Sequence, residues 1–415
     1  MTPFDVRPGE RRALGWSAAY VFAVLSAYYV LRPIRDEMGV QGGVENLPWL
    51  FTGTLLGMIA VNPLFAALVK RLPRVLFITL AYRFFALNLL LFAILFALAD
   101  AAQNLWLGRA FFIWLSVFNL FVVSVFWGLM VDVFDSEQGK RLFGFLAAGA
   151  TLGAIAGSTL TASLARELGA TTLFFASMVL LEGAVFAVRR LSPRNTSPAP
   201  IGGHVLAGIS RTFRSPYLLN VCLFLLLFTV TSTFLYFQQA TIARDYFTDR
   251  GSRTAFFAHV DLLVNVLTLA IQLFFTARIL RKFGVALTLG ILPLLSALGF
   301  FALALAPTIA VLVILQVLRR AANFALARPT RELLFTVLPR EDKYKAKSFI
   351  DTVVYRAGDQ VGSWSWLLLS AMGLGIAGVA LVAVPLSALW LVNSLWLGRR
   401  QVRIAAGLRS FDAAS

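Results

Sequence analysis

One cysteine, Cys222, and two histidines, His204 and His259, are all that 415 residues offer of thiol and imidazole. A lone cysteine in an apolar run builds no disulfide framework within the chain. One Cys with two distant His has no metal-ligand spacing, so no metal is expected. Neither a Walker-type phosphate loop nor a GxGxxG turn is present, which leaves ATP hydrolysis and dinucleotide chemistry without a motif. No nucleophile–base constellation stands out either, so neither an enzyme nor a cofactor is indicated. Charge is also scarce: 14% of residues, against about 25% in a soluble domain.

What is abundant is apolar sequence, at 59% of the chain. Runs of about 20 such residues recur from end to end, each long enough to cross about 30 Å of hydrocarbon. They are continuous rather than alternating, which excludes a membrane β-barrel. The expected fold class is an all-α integral membrane protein with about twelve spans. They fall near 13–35, 49–69, 75–98, 105–131, 142–164, 171–189, 217–243, 255–277, 285–306, 308–327, 348–371 and 375–397. The first run is span-length and lacks a small-residue cleavage site, so it reads as a span rather than a signal peptide.

The net charge of +17 is distributed unevenly. Basic residues gather in alternate connections, such as Lys70–Arg71–Arg74, Arg189–Arg190–Arg194 and Arg399–Arg400–Arg403, while the intervening connections are poor or mixed. This is the positive-inside pattern, with both termini cytoplasmic and the chain multi-pass in a plasma (inner) membrane. It gives no reason to expect nucleic acid as a partner. Most tryptophans, including Trp49, Trp106, Trp364 and Trp396, fall where interfacial anchors sit, so membrane lipids are expected partners; Trp127 and Tyr28 are possible cavity residues.

The longest polar connection divides the chain into a first bundle at 1–190, a cytoplasmic linker at 191–215 and a second bundle at 216–415. The halves repeat. Arg35–Asp36 at the end of span 1 has a counterpart in Arg244–Asp245 at the end of span 7. "KRLFGFLAAGATLGAIAGS" (140–158) lies over "KAKSFIDTVVYRAGDQVGS" (345–363), setting Lys140 on Lys345, Gly153 on Gly358 and Gly157 on Gly362. Two pseudo-symmetric six-helix halves joined by a linker are the architecture of the major facilitator superfold, which points to alternating access. Small residues at every fourth position on spans 5 and 11 let helices approach closely. They are expected to form either seams on which the halves rock or static packing.

Charges inside spans cost roughly 2.5–3.5 kcal/mol each on insertion scales, so each needs a partner or a watery cavity. Arg83 on span 3 and Glu182 on span 6 lie at similar depth and read as a structural ion pair. On span 10, Gln316, Arg320 and Asn323 share one helical face at i, i+4 and i+7, with Arg319 beside them, roughly 17 Å deep. Spans 1, 4 and 7 offer Arg32 and Arg35, Asn119, and Gln238 with Gln239. Together these are the candidate substrate-binding residues, with an excess of positive charge suited to phosphate or carboxylate. Arg320 can alternatively pair with Asp359 or Asp261. His259 and Asp261 on span 8 are candidate proton carriers.

"YYVLRPIRDEMGV" resembles the first-span motif LRD-x-KD of the nucleotide transporters (ATP:ADP antiporters) of plastids and intracellular bacteria. Arg32, Arg35 and Asp36 fall on its Arg, its Lys and its second Asp. "SEQGKRLFG" is similar to that family's DEAKRFYG-like stretch and places Glu137, Lys140 and Arg141. "RPTRELLFTVLPREDKYKAKSFIDTVVYRAGDQVGS" follows PTKE, PLD, KxKGKAAxDVV and GKSGG, with Arg331, Glu332, Lys345, Lys347, Asp351, Arg356 and Gly358 in place. The resemblance implies the major facilitator superfold and exchange of ATP for ADP and phosphate. Departures are Asp359, where the family has Lys, Asn323, where it has a basic residue, and a shorter chain.

The expected function is therefore secondary active transport of an organic anion by alternating access, with exchange of ATP/ADP-type nucleotides as the leading reading and a monomer as the working unit. Gating and coupling roles fall to Asp36, Glu137, Lys140, Arg244, Asp245, Asp261, Arg331, Glu332, Lys345, Lys347, Asp351, Arg356 and Asp359. Proton-coupled export of another metabolite or amphiphile is the second reading, and a membrane enzyme or lipid scramblase the third.

Overall fold

Hydrocarbon offers backbone N–H and C=O groups no water, so each crossing segment must satisfy its own, as a helix does. The computed structural model describes residues 7–191, 212–213, 215–338, 346–347 and 349–412, and all regular structure among them is helical. The first four spans are Arg11–Gln41, Leu47–Arg71, Arg74–Leu98 and Ala101–Val133. Spans 5 and 6 share one helix, Ser136–Arg189, broken at Gly169 with φ 68° and ψ 177°. That backbone conformation is essentially reserved for glycine, so Gly169 is where the chain turns. Spans 7 and 8 are Pro216–Tyr246 and Arg250–Phe274; span 9 lies in Thr276–Leu305, after a second break at Gly284.

Spans 10 and 11 are not regular throughout. Ile309–Ala322 passes through a π turn, Asn323–Ala327, into Arg328–Leu334. A π turn at Ile350–Val354 likewise precedes Tyr355–Ala371, and span 12 is Ile376–Asp412. Among the described residues ten helices are long and apolar enough to cross a membrane. The break at Gly169 makes two crossings of one of them, and Ile350–Ala371 adds another, giving twelve crossing segments among the described residues. Spans 4 and 5 begin at capping boxes. The Asp100 and Asp135 carboxylates accept the N–H groups of Gln103 and Gln138 at 2.8 and 2.9 Å, and each glutamine accepts in return at 3.1 Å.

The chain forms two compact units, Met1–Ala199 with Ala243–Asn265, and Pro200–Ile242 with Val266–Ser415. The hairpin where spans 7 and 8 meet thus belongs to the first unit. In that unit span 1 packs against the helix that carries spans 5 and 6, and Tyr20, Leu31, Phe111, Phe118 and Phe174 are wholly buried. In the second unit span 12 packs on span 9, around Phe224, Leu289, Trp390 and Leu397.

The glycine stripes lie inside these units. Lipid tails are as apolar as leucine, so helices associate through close backbone contact and hydroxyl bonds rather than through hydrophobicity. A Cβ at Gly153 would run into the Phe22 carbonyl oxygen, and one at Gly157 into that of Ser26. Ser26 Oγ donates to the Gly153 carbonyl at 3.0 Å, and Thr161 Oγ1 to that of Val30 at 3.1 Å. In the second unit, Cβ atoms at Gly358 and Gly362 would meet Thr229 and Thr233 on span 7. The reading of these stripes as seams between halves is corrected: they join span 5 to span 1 and span 11 to span 7, each within one unit.

Candidate functional site

Span 1 carries its charges close to its C-terminal end, on either side of Pro33, whose missing N–H leaves a gap in the helix ladder. Arg35 donates from Nε and Nη2 to Asp36 Oδ1 at 3.0 and 2.6 Å, and its guanidinium lies 5.0 Å from the Phe112 ring centre. Arg32 Nη1 lies 3.3 Å from Asp261 Oδ1 on span 8, and its Nε 4.0 Å from Asp36 Oδ2. One residue further, Glu37 takes two arginines from the first turn of span 8: Arg250 at 3.3 Å and Arg253 at 3.1 Å. The carboxylates of Asp36, Glu37 and Asp261 are all buried. These seven side chains, all within the first unit, carry one positive charge in excess.

Sequence reasoning singled out Arg32, Arg35, Asp36 and Asp261 here but missed Glu37, Arg250 and Arg253. The three look like ordinary span-end charges, and only burial of Glu37 distinguishes them. His259 is exposed, with Nδ1 2.6 Å from the Ala255 carbonyl of its own helix. It does not share a face with Asp261, the other candidate proton carrier, because two positions along a helix turn the side chains to different faces. Asn119 is half-buried on span 4, and Arg244 pairs with Asp245 at 2.9 Å, both well exposed. Trp127 packs edge-on against Phe143.

In the second unit, Gln316 on span 10 donates to Gln239 on span 7, both buried. Arg320 and Asn323 follow half-buried on the Gln316 face, and Asn323 opens the π turn, its carbonyl accepting the N–H of Arg328. Two residues of the expected binding set are engaged elsewhere. Gln238, next to Gln239 and turned the other way, donates to the Ile376 carbonyl at the start of span 12, at 3.0 Å. Arg319 is 3% exposed and reaches Ser296 Oγ at 2.9 Å, Ser232 Oγ at 2.9 Å, Thr231 Oγ1 at 2.7 Å and the Phe228 carbonyl at 3.2 Å.

All of those hydroxyls also donate to carbonyls one turn back, Thr231 to Leu227, Ser232 to Phe228 and Ser296 to Leu292. Their lone pairs are thus left to face the guanidinium. The Phe228 and Trp390 rings lie 5.5 and 5.9 Å from it. Arg319 is a buried cation solvated by neutral groups, with no carboxylate in ion-pair range among the described residues.

Where span 10 ends and span 11 begins, Arg331 pairs with Asp351 at 3.2 Å and Glu332 with Lys347. Arg356 and Asp359 pair at 3.0 Å within one turn of span 11. Lys345 lies outside the described residues, as do the side chains of Glu137 and Lys140. Arg83 and Glu182 pair at 3.2 Å between spans 3 and 6.

No family model matches the chain. It is similar to the curated ADP,ATP carrier protein 1 of Chlamydia pneumoniae, 21% identical over 346 residues, 71% of this chain and 67% of that protein. ADP,ATP carrier protein 1 of Chlamydia muridarum is 25% identical over 347 residues, 70% of this chain and 66% of that protein. The chain thus spans about two thirds of the length of these relatives. Among solved structures it resembles an auto-inhibited POT family peptide transporter, with a TM-score of 0.65, 15% identity and coverage of 95% of this chain and 97% of that one. That likeness shows the fold, an all-α membrane fold of the major facilitator type.

Proposed function

We propose that this chain is a secondary transporter that exchanges organic anions by alternating access, with nucleotides of the ATP/ADP type as cargo. The observation that carries the reading is the arginine–carboxylate network, its carboxylates buried, that joins span 1 to the start of span 8. The similarity to ADP,ATP carriers supports the cargo.

A buried ion pair is favourable only while both partners stay together, since an uncompensated charge in a low-dielectric site is costly. Pairs such as Arg32–Asp261 and Glu37–Arg253 therefore suit a gate that is either fully closed or open to water. An incoming anion can take the place of a carboxylate, because guanidinium forks bind phosphate oxygens as they bind carboxylates. In this reading Arg35 in the first unit offers its fork to phosphate oxygens; in the second unit Arg320 does so, and Gln239, Gln316 and Asn323 select the uncharged part of the ligand. Arg319 supplies positive potential without touching cargo, and Gln238 braces span 12. At the other end of spans 10 and 11, Arg331–Asp351 and Glu332–Lys347 form the second gate, and Arg356–Asp359 couples it to binding. Both termini are cytoplasmic, following the basic connections, and one chain is the working unit.

The test is uptake of radiolabelled ATP into proteoliposomes preloaded with ADP, against liposomes preloaded with buffer. Trans-stimulated uptake is expected. Equal uptake in both, driven instead by a pH gradient, would replace exchange with proton coupling.

A further inference from the structure

Span 12 ends in a feature that transport does not use. Val392, Leu395, Trp396, Arg399, Arg400 and Arg403 line a partly open cavity of about 380 Å³. The rise of a helix spreads them over about 16 Å, apolar residues first and guanidinium groups last. All three arginines are exposed, and none has an ion pair or hydrogen bond among the described residues. Trp396 is 42% exposed beside them, at the junction of apolar and charged wall. Behind the groove span 12 is fixed, because Gly398 lies against the Ala286 backbone of span 9 with no room for a Cβ.

The corresponding stretch of span 6 is different. Phe186 and Arg190 stand 210 positions before Trp396 and Arg400. There the Arg190 guanidinium lies 4.9 Å from the Phe186 ring centre and 5.8 Å from that of Trp16, so aromatic faces cover it. In span 12 no ring among the described residues covers the arginines, and a cavity stands in that place.

We infer that this groove binds the headgroup of an anionic phospholipid. The phosphate sits among Arg399, Arg400 and Arg403, and the glycerol and first acyl carbons run along Trp396, Leu395 and Val392. Clustered guanidinium groups beside a span attract anionic lipid over zwitterionic lipid. A tryptophan at the headgroup level suits the boundary between glycerol and chain. Orientation of the span requires basic residues but no concavity, and a free phosphate would use the arginines but not the apolar wall.

The experiment is native mass spectrometry of the delipidated full chain titrated with phosphatidylglycerol or phosphatidylcholine, at equal acyl composition. The wild-type chain is expected to retain one phosphatidylglycerol at least tenfold more tightly than phosphatidylcholine. The triple variant Arg399→Gln, Arg400→Gln, Arg403→Gln loses that preference. A control with the same charge loss, Arg278→Gln, Arg281→Gln, Lys282→Gln, keeps it. Should the triple variant not fold, Arg403→Gln and Trp396→Ala singly are each expected to weaken retention severalfold. Equal retention by wild type and variants overturns the inference. So does displacement of the lipid by millimolar inorganic phosphate, which would make the groove a simple anion site.

Discussion

Arg32 on span 1 and the buried Asp261 on span 8 meet at 3.3 Å, and the same two helices are tied again one turn on by Glu37 with Arg250 and Arg253. Residues far apart in sequence thereby form a single charged cluster within one compact unit.

Breaking that cluster from one side should be severe. Glu37→Gln leaves Arg250 and Arg253 without their carboxylate, and removing one partner of a buried pair costs about 3–5 kcal/mol. The expected outcome is a lowered melting temperature in detergent together with loss of exchange. For Arg32 and Asp261, the swap Arg32→Asp with Asp261→Arg should recover part of the stability that either single change loses. Failure of the swap to do better than the singles would mean the pair is not the stabilising contact.

Arg319 separates charge from packing. Its partner hydroxyls keep their own helix carbonyls when it is removed, so Arg319→Met should leave thermal stability within about 1 kcal/mol, as apolar replacement of buried charge often does. Arg319→Lys keeps the charge but loses the fork and should be the less stable of the two. If Arg319 biases the site toward anions, the Met variant folds normally yet takes up anionic cargo at least tenfold more slowly. Unchanged uptake would confine Arg319 to packing.

Gly153 and Gly128 offer an internal control for the span 1–span 5 contact. Gly153→Val drives a branched side chain into the Phe22 backbone, and overpacking typically costs about 1–3 kcal/mol, more where backbone must move. Gly128, on span 4, has open space where its Cβ would stand, so Gly128→Ala should be neutral or slightly stabilising. Thermal unfolding of the two variants decides it, and equal melting temperatures would contradict the close approach.

Acid should release the N-terminal segment. Glu10, just before span 1, accepts from Arg141 at 2.7 Å, Gln138 at 3.1 Å and the Arg7 backbone at 3.1 Å. The Arg141 hydrogen bond above all holds its carboxyl down at about 2, below the ordinary 4.5. A depressed carboxylate stabilises fully above its unfolded pKa and loses that contribution as pH falls. Hydrogen-exchange protection near residue 10 should therefore be constant above about pH 5 and fall between about 4.5 and 2. Glu10→Gln should remove that step.

Much of this was legible in the sequence because its determinants are local. Hydrocarbon thickness sets the length of an apolar run, so the twelve crossings were legible, although the helices of spans 1, 10 and 12 run on past the expected ends at 35, 327 and 397 to Gln41, Leu334 and Asp412. The Gly358-x3-Gly362 stripe announced a close helix contact, since only the absent Cβ matters. What the stripes touch was not legible: a stripe states that a backbone comes near, not which one. The same holds for charge. Placement inside spans required Arg32 and Asp261 to find partners, because hydrocarbon tolerates no lone ion. Span 1's neighbours decided which partners those were, and the direction of each side chain set Gln238 and Arg319 apart from Gln239 and Gln316. The sequence by itself determined the class, the spans and the need for pairing. Only the tertiary structure decided who pairs with whom, because that depends on which helices are adjacent and which faces they turn to each other.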